Sequence, residues 1–375
     1  MSNGVIPMIT SPLARARGTR RTRGPHQAPG NNYISKHTSV QNIAVVQQVI
    51  PETDKAVTLV FSTHRPISFQ AGQYAACNFT ISGNVVERCY SFSGLRRDGL
   101  YQITVKETPG GLVSHYINQS LQAGDSFQIA RIDGNITPDI IANNHQPLVL
   151  FAGGSGITPL KTLAESVLKH SSSQPVTLVY SNRSRSDTVF LAALTELEKS
   201  HDNFRFLNLL DQTDSRSDLQ GPVDLDILNQ HGLLNENSLF VICGPGGYVE
   251  HIFQLLKGAD VNPGQIHLEL FSRAGGNAKK DSDPNNEVFN IDIQNTGKRY
   301  QCRGSNTLLD SASNVGLPLD HSCQMGGCGH CKVKLISGEV NLPEPNCLTD
   351  QEKAKGYILT CIGQPKSDLV ITTEV

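Results

Sequence analysis

Between residues 40 and 144, apolar and polar positions alternate in short runs at 43–49, 56–62, 74–81, 85–93, 101–106 and 126–130, with turn-forming residues between them. A two-residue period marks strands with one face buried, and a series of short strands predicts a small antiparallel barrel. From Pro147 the rhythm changes. Apolar runs at 148–152 and 176–180, continued by runs at 238–243 and 265–271, alternate with helical periods reaching to about 169, over 188–200 and from 247 onward. Apolar strands separated by helices predict a parallel, doubly wound α/β sheet. The stretch 273–286 is polar, glycine-bearing and without period, and reads as a linker. Beyond it, runs at 288–293 and 299–302 flank Asn295-Thr296-Gly297 as a hairpin, and 307–314 forms a short helix, a β-grasp layout. The expected organisation is therefore multidomain: a tail over 1–37, a barrel over 38–144, a doubly wound domain over 145–272, a linker over 273–286 and a β-grasp domain over 287–375.

Charge sharpens the picture at one end only. Residues 1–37 carry Arg15, Arg17, Arg20, Arg21, Arg23 and Lys36 with no acid, and are broken by Gly and Pro, so a disordered basic tail is expected. Without those six, 26 basic residues face 34 acidic ones, which argues against nucleic-acid binding as the role of the folded body. A solvated extension is the plain reading of the tail, and peripheral contact with an anionic membrane the sharper one. No apolar stretch reaches the roughly 20 residues that cross a bilayer, and no signal-peptide core is present, so a cytoplasmic, reducing setting is expected.

The chemistry begins at His321-Ser322-Cys323-Gln324-Met325-Gly326-Gly327-Cys328-Gly329-His330-Cys331, followed by Cys361. Cys323, Cys328 and Cys331 space as C-x4-C-x2-C, and Cys361 follows after 29 residues, the spacing that holds a plant-type [2Fe–2S] cluster. A zinc site would more often use two close pairs, and disulfides do not suit a chain with nine cysteines and no secretory signal. Residues 287–375 resemble a plant-type ferredoxin domain through Ser322-Cys323, Gly327-Cys328-Gly329, Cys331 and Leu359-Thr360-Cys361.

Arg88-Cys89-Tyr90-Ser91 ends a barrel strand, and Gly110-Gly111-Leu112-Val113-Ser114 opens a short helix. A strand-end Ser can bond flavin N5, an Arg can pair with a pyrophosphate, a Tyr can pack on the ring, and a helix start can hold phosphate. Taken singly, Arg88 could be a surface ion pair and Tyr90 a core aromatic. Their order resembles the R-x-Y-S and G-x-x-S motifs of the ferredoxin-NADP reductase superfamily, and Ala71-Gly72-Gln73-Tyr74 is similar to the strand that precedes them there. The resemblance implies FAD held by Arg88, Tyr90, Ser91, Lys106, Gly111 and Ser114.

Leu148 to Ala152 runs into Gly153-Gly154-Ser155-Gly156-Ile157-Thr158-Pro159 and then a helix, and Cys243-Gly244-Pro245-Gly246 ends a later strand. Glycines at such turns let backbone N–H groups approach a pyrophosphate at a helix start, and ligands of open α/β sheets sit at the carboxyl ends of the strands. These turns resemble the G-G-x-G-I-T-P and C-G-P motifs of the same superfamily. The resemblance implies a nicotinamide site built from Gly153, Gly154, Gly156, Thr158 and Gly244, with Cys243 beside the nicotinamide and Phe271 near the flavin. Arg183, in Tyr180-Ser-Asn-Arg-Ser-Arg-Ser-Asp187, bears on the choice of nucleotide, with NADH preferred and NADPH the alternative.

Together the resemblances imply an electron-transfer reductase in which NAD(P)H reduces FAD beside Ser91 and Cys243, and the cluster on Cys323, Cys328, Cys331 and Cys361 delivers electrons to a partner. The expected partner is a terminal oxygenase, a fatty-acid desaturase or a hybrid-cluster protein. The competing reading is a redox-sensing module without rapid turnover.

Overall fold

The computed structural model describes residues 39–141, 146–212, 218–271 and 287–374; the expected tail over 1–37 and linker over 273–286 lie outside them. Strands β1 (Ser39–Thr53), β2 (Ala56–Thr63), β3 (Tyr74–Ile81), β4 (Asn84–Arg97), β5 (Leu100–Lys106) and β6 (Ser126–Asp133) close an antiparallel barrel in the order β1-β2-β5-β4-β3-β6. Closure leaves no unpaired edge, and alternate residues fill the interior. Phe127 stacks on Phe79 at 5.0 Å and meets Phe61 edge-on at 5.1 Å. Helix α1 (Leu112–Gln119) adds Val113 and Ile117 to the same core. The four-residue helix α2 (Pro138–Ile141) follows β6.

The second domain runs β7 (Leu148–Gly153), α3 (Ile157–His170), β8 (Val176–Asn182), α4 (Leu191–Ser200), β9 (Phe204–Leu210), β10 (Leu219–Gln220), α5 (Leu225–Gln230), β11 (Leu239–Gly244), α6 (Gly246–Gly258) and β12 (Ile266–Leu270). Its strands pair in parallel in the order β10-β9-β8-β7-β11-β12. Every residue of β7 and β11 is buried, which is why both read as unbroken apolar runs. The chain winds outward from β7 to β10 and then returns to β11 on the other side, so the order reverses between β7 and β11. Crevices open at such reversals, and both glycine turns stand there.

In the third domain, β13 (Val288–Ile293), β14 (Lys298–Arg303), α7 (Leu308–Asn314), β15 (Lys332–Ser337), β16 (Val340–Asn341), α8 (Asp350–Ala354), β17 (Tyr357–Leu359), β18 (Gln364–Pro365) and β19 (Leu369–Thr372) build a mixed sheet, β14-β13-β19-β15-β17, with β16 and β18 as a separate pair. Thr307 caps α7 by accepting from the Asp310 amide, and Thr349 with Glu352 forms a capping box on α8.

The sequence pattern did not single out β9. Its Phe204, Phe206, Leu207, Leu209 and Leu210 follow neither a clean two-residue period nor an unbroken run, and its strand state is fixed by pairing with β8 and β10. Helix α4 starts at Leu191 rather than 188, because Arg185–Asp187 forms a 3-10 turn and Phe190 takes a left-handed φ of 63°.

The domains are joined by directed bonds. Thr162 Oγ1 on α3 accepts from the Gly72 amide at 3.3 Å and lies 3.3 Å from the Phe92 carbonyl, and Lys106 Nζ donates to the Asp187 carbonyl at 3.3 Å. Met325, in the cysteine loop, packs on the core of the second domain.

Candidate functional site

Pairing along the strands places Ser91 opposite Tyr74 of β3. Ser91 is buried, and its Oγ has no well-formed hydrogen bond within the polypeptide. Glu269, on β12, faces it with an Oε2 that likewise lacks a partner. Burial first, and then the nearby Cys323 sulfur, push the Glu269 carboxyl up to about 8. Each has little but the other to turn to in this buried seam, the Ser91 hydroxyl bearing on the Glu269 carboxyl, so the pair offers a polar edge that fits a bound ring. Sequence reasoning passed over Glu269, although it sits two residues before Phe271; nothing in a carboxylate within a strand signals what it will face.

Around this seam the flavin candidates occupy different places. Arg88 is exposed and donates to the Glu87 carbonyl at 2.8 Å, leaving its guanidinium at the surface where a pyrophosphate could reach it. Tyr90 packs edge-on against Phe79 at 6.2 Å. Gly111 is the N-cap of α1, and the Ser114 hydroxyl serves the same turn, accepting from the Thr108 amide at 3.1 Å and donating to the Gly111 carbonyl at 3.3 Å. Lys106 reaches toward the second domain, as described above, and its partial burial lowers its pKa.

The nucleotide turns meet backbone to backbone. A Cβ on Gly156 would lie 2.0 Å from the Cys243 carbonyl oxygen, and one on Gly244 would lie 3.0 Å from the Gly153 carbonyl oxygen. Only glycines allow that approach, and it makes the two turns the walls of one crevice. Gly154 takes a φ of +52°, and its carbonyl accepts from Tyr180 Oη at 2.9 Å. Thr158 Oγ1 donates to the Ser155 carbonyl at 3.1 Å. Cys243 is fully buried, and burial with the Glu269 charge pushes its thiol well up, so it stays protonated. The Phe271 amide faces the Gly244 carbonyl at 3.4 Å, and its side chain packs on the core cluster that contains Cys243.

Just past the end of β8, Arg183 is exposed. Arg185 is not available in the same way: both carboxylate oxygens of Asp218 bind its Nη1, at 2.7 and 2.8 Å, and the Asp218 side chain is 3% exposed. Asn208 holds the same carboxylate at 2.9 Å. Asp218 gave no signal in the sequence, because its partner lies 33 positions away.

The four predicted ligands come together as two pairs. Cys331 and Cys361 sulfurs lie 3.1 Å apart, and the Cys323 amide points at the Cys328 sulfur at 3.4 Å. In each pair one thiol is pulled down and its neighbour pushed up, the behaviour of two sulfurs that share a proton. The Met325 amide points at the Cys323 sulfur at 3.4 Å, and the loop turns through left-handed positions at Gln324, Gly326 and Gly329. Two thiolates for each of two irons, supported by backbone N–H groups, is the donor set a [2Fe–2S] cluster needs. A fifth cysteine stands beside them: a Cβ on Gly329 would lie 3.6 Å from Cys347 Sγ. Burial pushes the Cys347 thiol up, which leaves it a neutral neighbour. Cys77 is buried in the barrel core and Cys302 in the third domain's core.

These features define a flavin- and pyridine-nucleotide-dependent oxidoreductase that carries its own iron–sulfur domain. Family models match in the same order: an oxidoreductase FAD-binding domain over 43–137, an oxidoreductase NAD-binding domain over 150–253, and a 2Fe-2S iron-sulfur cluster binding domain over 291–366. The chain thus carries these three domains in the order of an oxidoreductase of the ferredoxin reductase type, and its cofactors are FAD, NAD(P)H and the cluster. It is 29% identical to the ferredoxin reductase component of 3-ketosteroid-9-alpha-monooxygenase from Mycobacterium tuberculosis, over 92% of this chain and 99% of that one. It is 28% identical to one of the subunits of 1,2-phenylacetyl-CoA epoxidase from Escherichia coli, over 87% and 96%. Phthalate dioxygenase reductase shares the architecture at a TM-score of 0.58 and 20% identity, over 88% of this chain and 97% of that one. No helix among the described residues is long and apolar enough to cross a membrane.

Proposed function

We propose that this protein is the NADH-dependent reductase component of an oxygenase system, taking electrons in at the Gly153/Gly244 crevice and delivering them from the Cys323–Cys361 cluster site to a terminal oxygenase. One observation carries the reading: Ser91 of the barrel and Cys243 and Glu269 of the nucleotide domain are buried together, and the cluster loop with half-buried Cys323 comes against the same strand β12, where a Cβ on Gly327 would lie 3.2 Å from the Leu270 amide nitrogen. Bound FAD supplies the change from two-electron hydride chemistry to single-electron transfer. The residues supply its setting. Ser91 Oγ offers an unsatisfied polar contact at the ring edge, Cys243 fills the wall beside it as an uncharged thiol, and Glu269 adds a carboxyl that burial keeps largely protonated near neutral pH. The two glycine turns leave room for a nucleotide backbone, and Arg88 offers charge for a pyrophosphate.

NADH is preferred to NADPH because Asp218 neutralises Arg185, which removes one of the two guanidinium groups that could bind a 2′-phosphate. The oxygenase is preferred to a desaturase or a hybrid-cluster protein because the relatives named above are components of a monooxygenase and an epoxidase. Peripheral membrane contact through residues 1–37 has no described structure behind it.

The test is Cys328→Ser. NADH-dependent cytochrome c reduction should fall to background while NADH-to-ferricyanide activity stays largely intact; loss of both would place the cluster elsewhere than downstream of the flavin. Slow turnover of the unaltered protein with every one-electron acceptor would return the sensor reading. Reconstitution with an oxygenase component encoded beside it should give NADH-driven substrate oxidation.

A further inference from the structure

The cluster loop does not merely lie near the barrel; it is bonded to it. Tyr74 Oη meets Ser322 Oγ at 2.8 Å. Arg131, on β6, donates from Nε to Ser322 Oγ at 3.3 Å and from Nη2 to the Ser322 carbonyl at 3.2 Å. Its other contacts are a forked pair with Glu87 at 2.8 and 3.1 Å, which fixes the guanidinium plane. Asn135 Nδ2 donates to the carbonyl of Cys328 itself at 2.9 Å. His330 Nδ1 lies 3.2 Å from Asp133 Oδ2, with both side chains at least nine-tenths buried.

The strand register gives these contacts meaning. Tyr74 is paired with Ser91 on one side and with Asp133 on the other. Ser322 precedes ligand Cys323. The seat proposed for the flavin edge and the Cys323/Cys328 pair are thus linked by one ladder step and one hydrogen bond, on elements braced by β-pairing. None of these polar groups would be satisfied in the same way if the third domain moved off, and Tyr74, Asp133 and Ser322 are each no more than 5% exposed.

We propose that Tyr74, Arg131 and Asn135 are positioning residues: they form a clasp that fixes the cluster loop against the flavin domain and thereby sets the rate of the flavin-to-cluster electron step. The proposal rests on the reductase reading above. In the step, the reduced flavin loses one electron and the oxidised cluster gains it, with no further reactant. Electron transfer between two held centres weakens steeply as they separate or turn away from each other, so a loosened clasp should be visible kinetically.

The test uses the full-length, cofactor-loaded protein and two variants, Tyr74→Phe with Asn135→Ala, and Arg131→Gln. In anaerobic stopped flow with NADH, bleaching of the flavin band should stay within about twofold of the unaltered protein, while reduction of the cluster band should slow by more than about threefold. Hydrogen exchange should quicken over 318–332 and stay unchanged in the β13–β14 hairpin, and the reduced cluster should keep its EPR g-values. Cluster kinetics and exchange indistinguishable from the unaltered protein would overturn the clasp, as would flavin bleaching that slows in step with the cluster, since these residues would then be supporting the flavin seat. Absence of NADH-driven bleaching in the unaltered protein would instead overturn the reductase reading on which the proposal rests.

Discussion

Gly156→Ala tests the crevice in one atom. Gly156 has φ −61° and ψ −10°, an ordinary right-handed helical conformation, so by backbone preference alone alanine should be tolerated or even favoured by up to about 1 kcal/mol. The surroundings say otherwise. The added Cβ would stand 2.0 Å from the Cys243 carbonyl oxygen, 2.4 Å from its carbon and 2.7 Å from the Gly244 nitrogen, all backbone atoms that cannot rotate away. Ordinary contact begins at 3.4 Å, so the β7–α3 turn and the end of β11 must part by more than 1 Å. Overpacking of this kind costs about 1–3 kcal/mol, and a shift of about 1 Å at a reacting centre can cost about 10²-fold in rate. The expected variant has a lower urea midpoint and a kcat/KM for NADH-to-ferricyanide reduction that falls about 10- to 100-fold. Gly258→Ala is the control: it ends α6, has nothing within 4 Å of its Cβ, and should leave activity unchanged while adding at most about 1 kcal/mol. A Gly156→Ala protein as stable as the original, with kcat/KM within threefold, would refute the close approach of the two turns.

Three further outcomes follow from the seam. Ser91→Ala should cost little stability, because Ser91 Oγ makes no well-formed bond in the polypeptide, yet slow NADH-driven flavin bleaching roughly 5- to 100-fold; equal bleaching rates would remove Ser91 from the site. Glu269 carries a carboxyl raised from 4.5 to about 8, so the cost of ionising it in the fold is absent below pH 4.5, grows as pH rises toward 8, and levels off above. Glu269→Gln should therefore gain on the original protein across pH 5 to 8, by at most about 1.4 kcal/mol per pH unit, in urea midpoints taken at each pH; parallel curves would deny the buried carboxyl. Cys347→Ser should leave the cluster's visible and EPR spectra intact at a stability cost of about 1 kcal/mol, and cluster loss would place Cys347 among the ligands.

The parts of this protein written in local spacing were legible without coordinates. Three cysteines on one loop, a two-residue period and a glycine turn between strand and helix each impose their physics within a dozen residues, so the barrel, the parallel sheet and the loop of Cys323, Cys328 and Cys331 could be read directly. The strand β9 was not, because its pattern is ambiguous until its neighbours pair with it. What only the tertiary structure decided are the relations between distant segments. Asp218 claims Arg185, Glu269 turns its carboxyl to Ser91 of another domain, and Arg131 bonds Ser322 from 191 positions away. Each is a long-range polar contact whose worth depends on burial and on an orientation to within an ångström, and neither quantity is encoded in the spacing of residues along a chain.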